Sequence, residues 1–163
     1  MSNLTKETIK INEKSYTVIV EDGALTRENF YTHGQYKESH NYKFGLTKST
    51  FYINGARIQS VDLSNAPSIK TLGQSLFEDE NALKTFTFPP YLEKIEAFAF
   101  SGTKLSEVIL PVTVKEVGNF AFEENSDINV FIAPKTCKFG TNVFSKEPLI
   151  FEYKNTNEAE QSL

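Results

Sequence analysis

The sequence predicts a mainly β protein: a short solenoid of about four coils of 22–23 residues, closed at its N-terminal end by a β-hairpin cap. Three observations predict it. A phrase recurs, clearest as Leu105, Val108, Leu110, Pro111, Val114, Val117, Gly118, Ala121 and Phe122. The same slots hold Leu83, Phe86, Phe88, Pro89, Leu92, Ile95, Glu96, Ala99 and Phe100 one copy earlier. One copy later they hold Ile128, Phe131, Ala133, Pro134, Cys137, Phe139, Gly140, Val143 and Phe144. The spacing is also fixed: Pro89 to Pro111 is 22 residues, Pro111 to Pro134 is 23, and Phe100, Phe122 and Phe144 are each 22 apart. A period of this size marks stacked coils that cannot bury their apolar faces singly. Finally, the second and third slots lie two residues apart, so both face one side of a strand.

The elements follow in order. Residues 1–8 are polar and expected to be loosely held. Ile9–Ile11 and Tyr16–Val20 flank a short turn and read as a hairpin, which Glu21-Asp22-Gly23 closes with turn chemistry. Residues 24–49 show no clean period and read as a single helical turn begun at Thr26, then a long loop or a short irregular strand pair. Ser49–Ile53 is a strand by its β-branched and aromatic content. Asn54-Gly55 is a strong hairpin signal, because both residues tolerate positive φ. Ala56–Leu63 returns as the first strand of the array, so this hairpin is expected to extend the first sheet. A degenerate first copy follows, then two good copies, a drifting third, and a last strand at Leu149–Tyr153. The predicted divisions are 1–55 for a β-rich cap with an aromatic loop, 56–153 for the solenoid, and 154–163 for a disordered acidic tail.

Chemistry explains the phrase. The proline after each strand cannot extend a ladder and turns the chain outward. Gly118 permits a tight or left-handed backbone on the return leg. Phe120 and Phe122 anchor the outer side of the coil, with the small Ala121 between them. Stacking places Phe86, Val108, Phe131 and Phe151 in one interior row and Phe77, Phe100, Phe122 and Phe144 in another. The N-terminal residues cap one end of the stack. The other end, finished by one strand and a short tail, is under-capped.

Composition excludes several functions. A net charge of −4 and a pI near 5.3 argue against a nucleic-acid surface. One cysteine, Cys137, leaves no internal disulfide and no multi-cysteine metal site. No stretch approaches the ~20 apolar residues of a membrane span, and the N-terminus lacks a secretory signal pattern. The expected location is therefore the cytoplasm or a virion-like assembly. Lysine outnumbers arginine 15 to 2, as in AT-rich coding sequences of bacteria and their phages.

Candidate sites are few. His33 and His40 lack a ligand-spaced carboxylate or thiol, so no metal is expected. Cys137 occupies the interior slot of Val114 and reads as structural. Glu78-Asp79-Glu80 and Glu123-Glu124 lack calcium-loop spacing and read as solvated turns. No catalytic constellation and no cofactor motif occurs. Two features remain as partner-binding candidates: Tyr31, Tyr36 and Tyr42 in the irregular N-terminal segment, and Ile109, Val130, Ile132 and Ile150, apolar at strand positions that face away from the core.

The phrase L-x-x-V-x-L-P-x-x-V-x-x-V-G-x-x-A-F resembles the BspA-type leucine-rich repeat of many bacterial surface proteins and some protist proteins. The resemblance covers about Ala56 to Tyr153, with departures at Glu96, Ala133 and Val143. It implies a leucine-rich-repeat solenoid and a role in adhesion or protein–protein binding, generally without catalysis. The expected function is thus a non-catalytic interaction module using the exposed sheet or the aromatic loop. The alternative is a structural subunit of a larger assembly, such as a phage virion or cell-surface particle. The expected partner is a protein, with a second copy of the chain at the C-terminal end among the candidates, and with no nucleic acid and no membrane insertion.

Overall fold

The computed structural model describes residues 2–31, 36–43, 46–53 and 55–154, with the backbone alone for 36–43, 46–52 and 154. Coils stack through three hydrogen-bond ladders. The first is parallel and comprises β7 (Ser60–Asp62), β9 (Thr85–Thr87), β11 (Glu107–Ile109), β13 (Val130–Pro134) and β15 (Ile150–Lys154). The second, also parallel, comprises β8 (Thr71–Leu72), β10 (Lys94–Ile95), β12 (Glu116–Val117) and β14 (Lys138–Phe139). The third runs through turns: Phe77 N–H donates to Ala99 O at 2.7 Å, Phe100 to Ala121 O at 2.8 Å, and Phe122 to Val143 O at 2.9 Å.

This third leg begins at a residue held in the left-handed region in each coil, Ser75 (φ 57°), Phe98 (60°), Phe120 (58°) and Asn142 (50°), and in the first three coils a second follows four positions later, at Asp79 (64°), Gly102 (76°) and Glu124 (57°). The first left-handed residue thus lies two positions after the glycine slot. Gly118 serves another purpose. A Cβ there would lie 2.7 Å from Ala97 N, so only glycine lets the coils approach closely. Phe122 is buried as expected and its ring stacks on Phe100 at 5.1 Å. Phe120 is instead half-buried and stacks on Phe98 at 5.0 Å.

The N-terminal cap joins both ladders. β1 (Leu4–Ile11) and β2 (Lys14–Glu21) form an antiparallel hairpin around Asn12 (φ 50°) and Glu13 (φ 69°), the signs of a type I′ turn. β1 pairs antiparallel with β7, while β3 (Ala24–Leu25) pairs parallel with β8. One nine-stranded sheet therefore runs from β14 through the cap to β9. Residues 4–8 are not loose. Both faces of this half-strand are polar or exposed, and its backbone pairing with β2 holds it. The helical turn is α1 (Arg27–Phe30), capped by the Thr26 hydroxyl, which accepts from Asn29 N–H at 3.1 Å.

The aperiodic segment forms a full hairpin. β4 (Tyr36–Lys43) and β5 (Leu46–Ile53) pair over eight residues each, and β6 (Ala56–Arg57) pairs back on β5. Ile53 pairs with Ala56, and Gly55 between them is at φ +79°, while Asn54 lies outside the described residues. These strands do not extend the first sheet. They form a separate three-stranded sheet, and the chain leaves it at Arg57 before β7 begins. The tail from 155 to 163 lies outside the described residues.

The first ladder is broken once. Among the described residues β9 and β11 share no ladder, although their neighbours pair on either side. Interior volume accounts for this. The two inward positions of the first strand hold Val61 and Leu63, then the half-buried Phe86 and the buried Phe88, then Val108 and Leu110, then Phe131 and Ala133. The fourth coil balances its phenylalanine with alanine; the second carries two phenylalanines. Phe86, Phe88 and Phe100 crowd edge to face, at 4.7, 4.8 and 5.8 Å between centroids. We attribute the seam to this larger filling, since extra core volume is accommodated by backbone shifts; the seam leaves a slot lined by Thr85–Phe88, Glu107 and Ile109. We predict that the Glu107 and Ile109 amides exchange with solvent much faster than that of Val108, whose backbone groups point toward β13. Phe88→Leu, which restores the leucine of Leu63 and Leu110, slows them at least tenfold. Equal protection of the three amides in the wild type contradicts this cause.

Candidate functional site

The outer face of β11, β13 and β15 is the candidate site. The register sets Glu107 beside Val130 and Val130 beside Ile150, with Ile109 beside Ile132 and Ile132 beside Glu152. Two rows of three result. Strand alternation turns the intervening Val108 and Phe131 fully inward, so these six point out. Ile109 is 44% exposed and Ile150 47%, while Val130 and Ile132 between them are half-buried. The four apolar residues form one contiguous patch, with the carboxylates of Glu107 and Glu152 at opposite corners.

The tyrosines are placed differently. Tyr31 belongs to the packed cap. It is half-buried, its ring meets Phe30 edge-on at 4.8 Å, and the Arg27 guanidinium lies 5.2 Å from its centroid. The structure does not bring it to the sheet patch, which occupies the last rungs of the other end. Tyr36 and Tyr42 lie on β4, in register with Ile53 and Thr47, and their side chains are outside the described residues. His33 is outside them too, as is the His40 side chain.

Two polar features bear on the chemistry. Glu80 is fully buried, so it is not part of a solvated turn. It occupies the corner slot that Thr103 and Asn125 fill in later coils, an interior polar row. The Asn125 amide donates to Phe100 O at 2.6 Å, and the Thr103 hydroxyl bonds to Asn125 Oδ1 at 2.6 Å. Repetition of Glu80, Thr103 and Asn125 at intervals of 23 and 22 was the signal available in the sequence. Cys137 is buried, as its Val114-like slot implies. Burial, helped by the nearby Glu116 carboxylate, pushes its thiol up to about 11. Among the described residues no cluster of His, Cys, Asp and Glu could hold a metal, and no helix is long and apolar enough to cross a membrane.

Exposed apolar side chains also occur at Tyr91, Leu149 and Tyr153, with Leu149 at 80%. Leu149 and Tyr153 border the last coil. Beside them Phe139, Val143, Phe144, Phe151 and Tyr153 line an open depression at the end of the stack. The strand bearing Phe151 and Tyr153 was legible as a pattern, but not the exposure of Leu149 and Tyr153.

The family described as the BspA type leucine-rich repeat region matches residues 46–158, in six copies. Among solved structures, a leucine-rich repeat protein from Bacteroides ovatus is 14% identical, with 85% of this chain and 41% of that chain covered at a TM-score of 0.36. The chain spans less than half the length of that protein. No curated protein matches.

The thiol environment generates a direct prediction. A pKa of about 11 in place of 9.0 lowers the thiolate population at pH 8 about a hundredfold. The folded chain should therefore resist a thiol-specific chromogenic reagent that labels the denatured chain completely within minutes. Equal labelling rates contradict the assigned burial.

Proposed function

The chain belongs to the BspA-type leucine-rich repeat family, and on that premise we propose that it is a non-catalytic protein-binding or adhesion module. Repeat scaffolds of this kind generally serve protein–protein interaction. In this reading residues 1–55 cap the array, residues 56–153 form it, and the outer face of β11, β13 and β15 makes the contact. The observation that carries the reading is the contiguous patch of Ile109, Val130, Ile132 and Ile150, apolar where the coil-stacking phrase imposes nothing. Side chains in those slots do not help the coils stack. An apolar centre with a polar rim suits a protein interface. Glu107 and Glu152 at the corners favour a partner with an apolar strip flanked by lysine or arginine. The segment bearing Tyr36 and Tyr42 is a secondary contact in this reading.

A second reading, a structural subunit of a larger assembly such as a virion or cell-surface particle, is supported by the open, aromatic-lined depression at the last coil, which Asn142 and Glu147 also border. Co-purification from the native source separates the two readings. The Ile109→Glu, Ile132→Glu double variant should lose the partner that the wild type retains, with an unchanged circular dichroism spectrum. Thr85→Glu, on the outer face of β9 across the broken seam, should retain it. Retention of the partner by both variants contradicts the face assignment.

A further inference from the structure

The two ends of the stack differ. At the N-terminal end, β1 covers the edge of β7 and β3 covers the edge of β8. At the C-terminal end, among the described residues, β15 and β14 each have a neighbour on one side only. An open, apolar strand edge is a template for another strand.

The backbone of β15 fixes which groups are available. Ile150 N–H donates to Asn129 O at 2.8 Å, and the parallel register runs from Val130↔Ile150 to Pro134↔Lys154. In such a ladder alternate residues of a strand serve one neighbour. Ile150, Glu152 and Lys154 therefore turn their N–H and C=O groups toward β13. Phe151 and Tyr153 turn theirs to the open edge. Phe151 and Tyr153 also carry the core-facing side chains, whereas Leu149 lies in the bend before the strand and is exposed.

We propose that β15 pairs antiparallel with β15 of a second copy about a two-fold axis through Phe151. In that register Phe151 faces the partner's Phe151, and Leu149 faces the partner's Tyr153. Phe151 then exchanges both backbone hydrogen bonds with its counterpart, and the two rings meet on the core side. On the outer side Ile150 lies against the partner's Glu152. A two-fold register through Glu152 sets that carboxylate against its own copy, and one through Ile150 takes the two Phe151 rings out of register with each other. Like charges directly opposed in a sheet destabilise. The Phe151 register also accounts for the open depression that Phe139, Phe144, Phe151 and Tyr153 surround in the single chain. The second copy's strand stands where the next coil's strand would stand, and its core-facing side chains cover that depression. The contact is self-complementary, as a two-fold interface requires.

This dimer goes beyond the binding reading and has a consequence for it. The sheet becomes continuous through β11, β13 and β15 of both copies, and the two apolar patches share one outer face. The assembly is bivalent, so a partner with repeated or clustered contacts gains avidity without any new contact.

The test uses the full 163-residue chain. Sedimentation equilibrium from 1 to 200 μM should give a monomer–dimer equilibrium that Phe151→Lys abolishes and Ile132→Glu leaves intact. Because Phe151→Lys could act through folding, two cysteine variants are compared under mild oxidation in a Cys137→Val background. Phe151→Cys should form a covalent dimer and Glu152→Cys should not, since only the former places like residues opposite one another. In the wild type, the Phe151 and Tyr153 amides should gain protection from exchange as concentration rises. A chain that stays monomeric throughout overturns the proposal, as does cross-linking at position 152 in place of 151. Concentration-independent protection of these amides in a monomer assigns the edge to residues 155–163 of the same chain and likewise overturns it. Partner loss in the Ile132→Glu variant is read separately, so the dimer and the binding face can fail independently.

Discussion

The structure depends on one constraint: every coil must be filled to the volume at which its backbone meets the next coil at hydrogen-bond distance. Three ladders impose this simultaneously at the three legs of the coil. Where the filling matches, the ladders close, as in the stack of Phe77, Phe100, Phe122 and Phe144, whose successive centroids lie 5.5, 5.1 and 6.2 Å apart. Where backbones approach most closely, even a Cβ is excluded, as at Gly118. Where two phenylalanines occupy one strand, the first ladder parts between β9 and β11. Matched filling is an example of the close packing that makes protein interiors sensitive to a single methylene.

This constraint explains what was legible in the sequence. The period, the interior rows, the Cys137 slot and the outward rows of Ile109 and Val130 all follow from repetition, because coils that stack must repeat. The N-terminal region does not repeat, so its organisation was only partly readable. The β1–β2 turn, the Thr26 cap and the Asn54-Gly55 connection carry local chemistry and were identified. The β4–β5 pairing was legible only as one of two alternatives, a loop or a short strand pair, since its strands mix polar and aromatic residues without alternation, though the Ser49–Ile53 part of β5 was identified. Nor could local signals show that the cap would join both ladders, β1 to β7 and β3 to β8. Those contacts span tens of residues. Glu80 misled because a run of acidic residues reads as solvated, although its third member falls in a buried polar row.

The same division separates structure from function. Slots fixed by stacking are occupied by leucine, valine, phenylalanine, glycine and proline for reasons internal to the fold. The free slots face outward, and on β11, β13 and β15 they are apolar in four of six positions. Two distinct surfaces thereby meet at β15. Its outer face contributes Ile150 to the patch, and its open edge offers the backbone of Phe151 and Tyr153. A strand that ends one ladder can serve one partner with its face and another with its edge.

The central claim is that the outward apolar residues are not there for stability. A saturation scan of residues 56–153, read by the stability of the isolated folded chain, tests it most directly. Truncation to alanine in an interior row, as at Phe122, is expected to cost about 3–5 kcal/mol. Polar substitutions at Ile109, Val130 and Ile132 are expected to stay within about 0.5 kcal/mol of wild type, as at ordinary surface sites. If those three positions prove as intolerant as Phe122 in the absence of any partner, the patch belongs to the fold and the assignment of a binding face is contradicted.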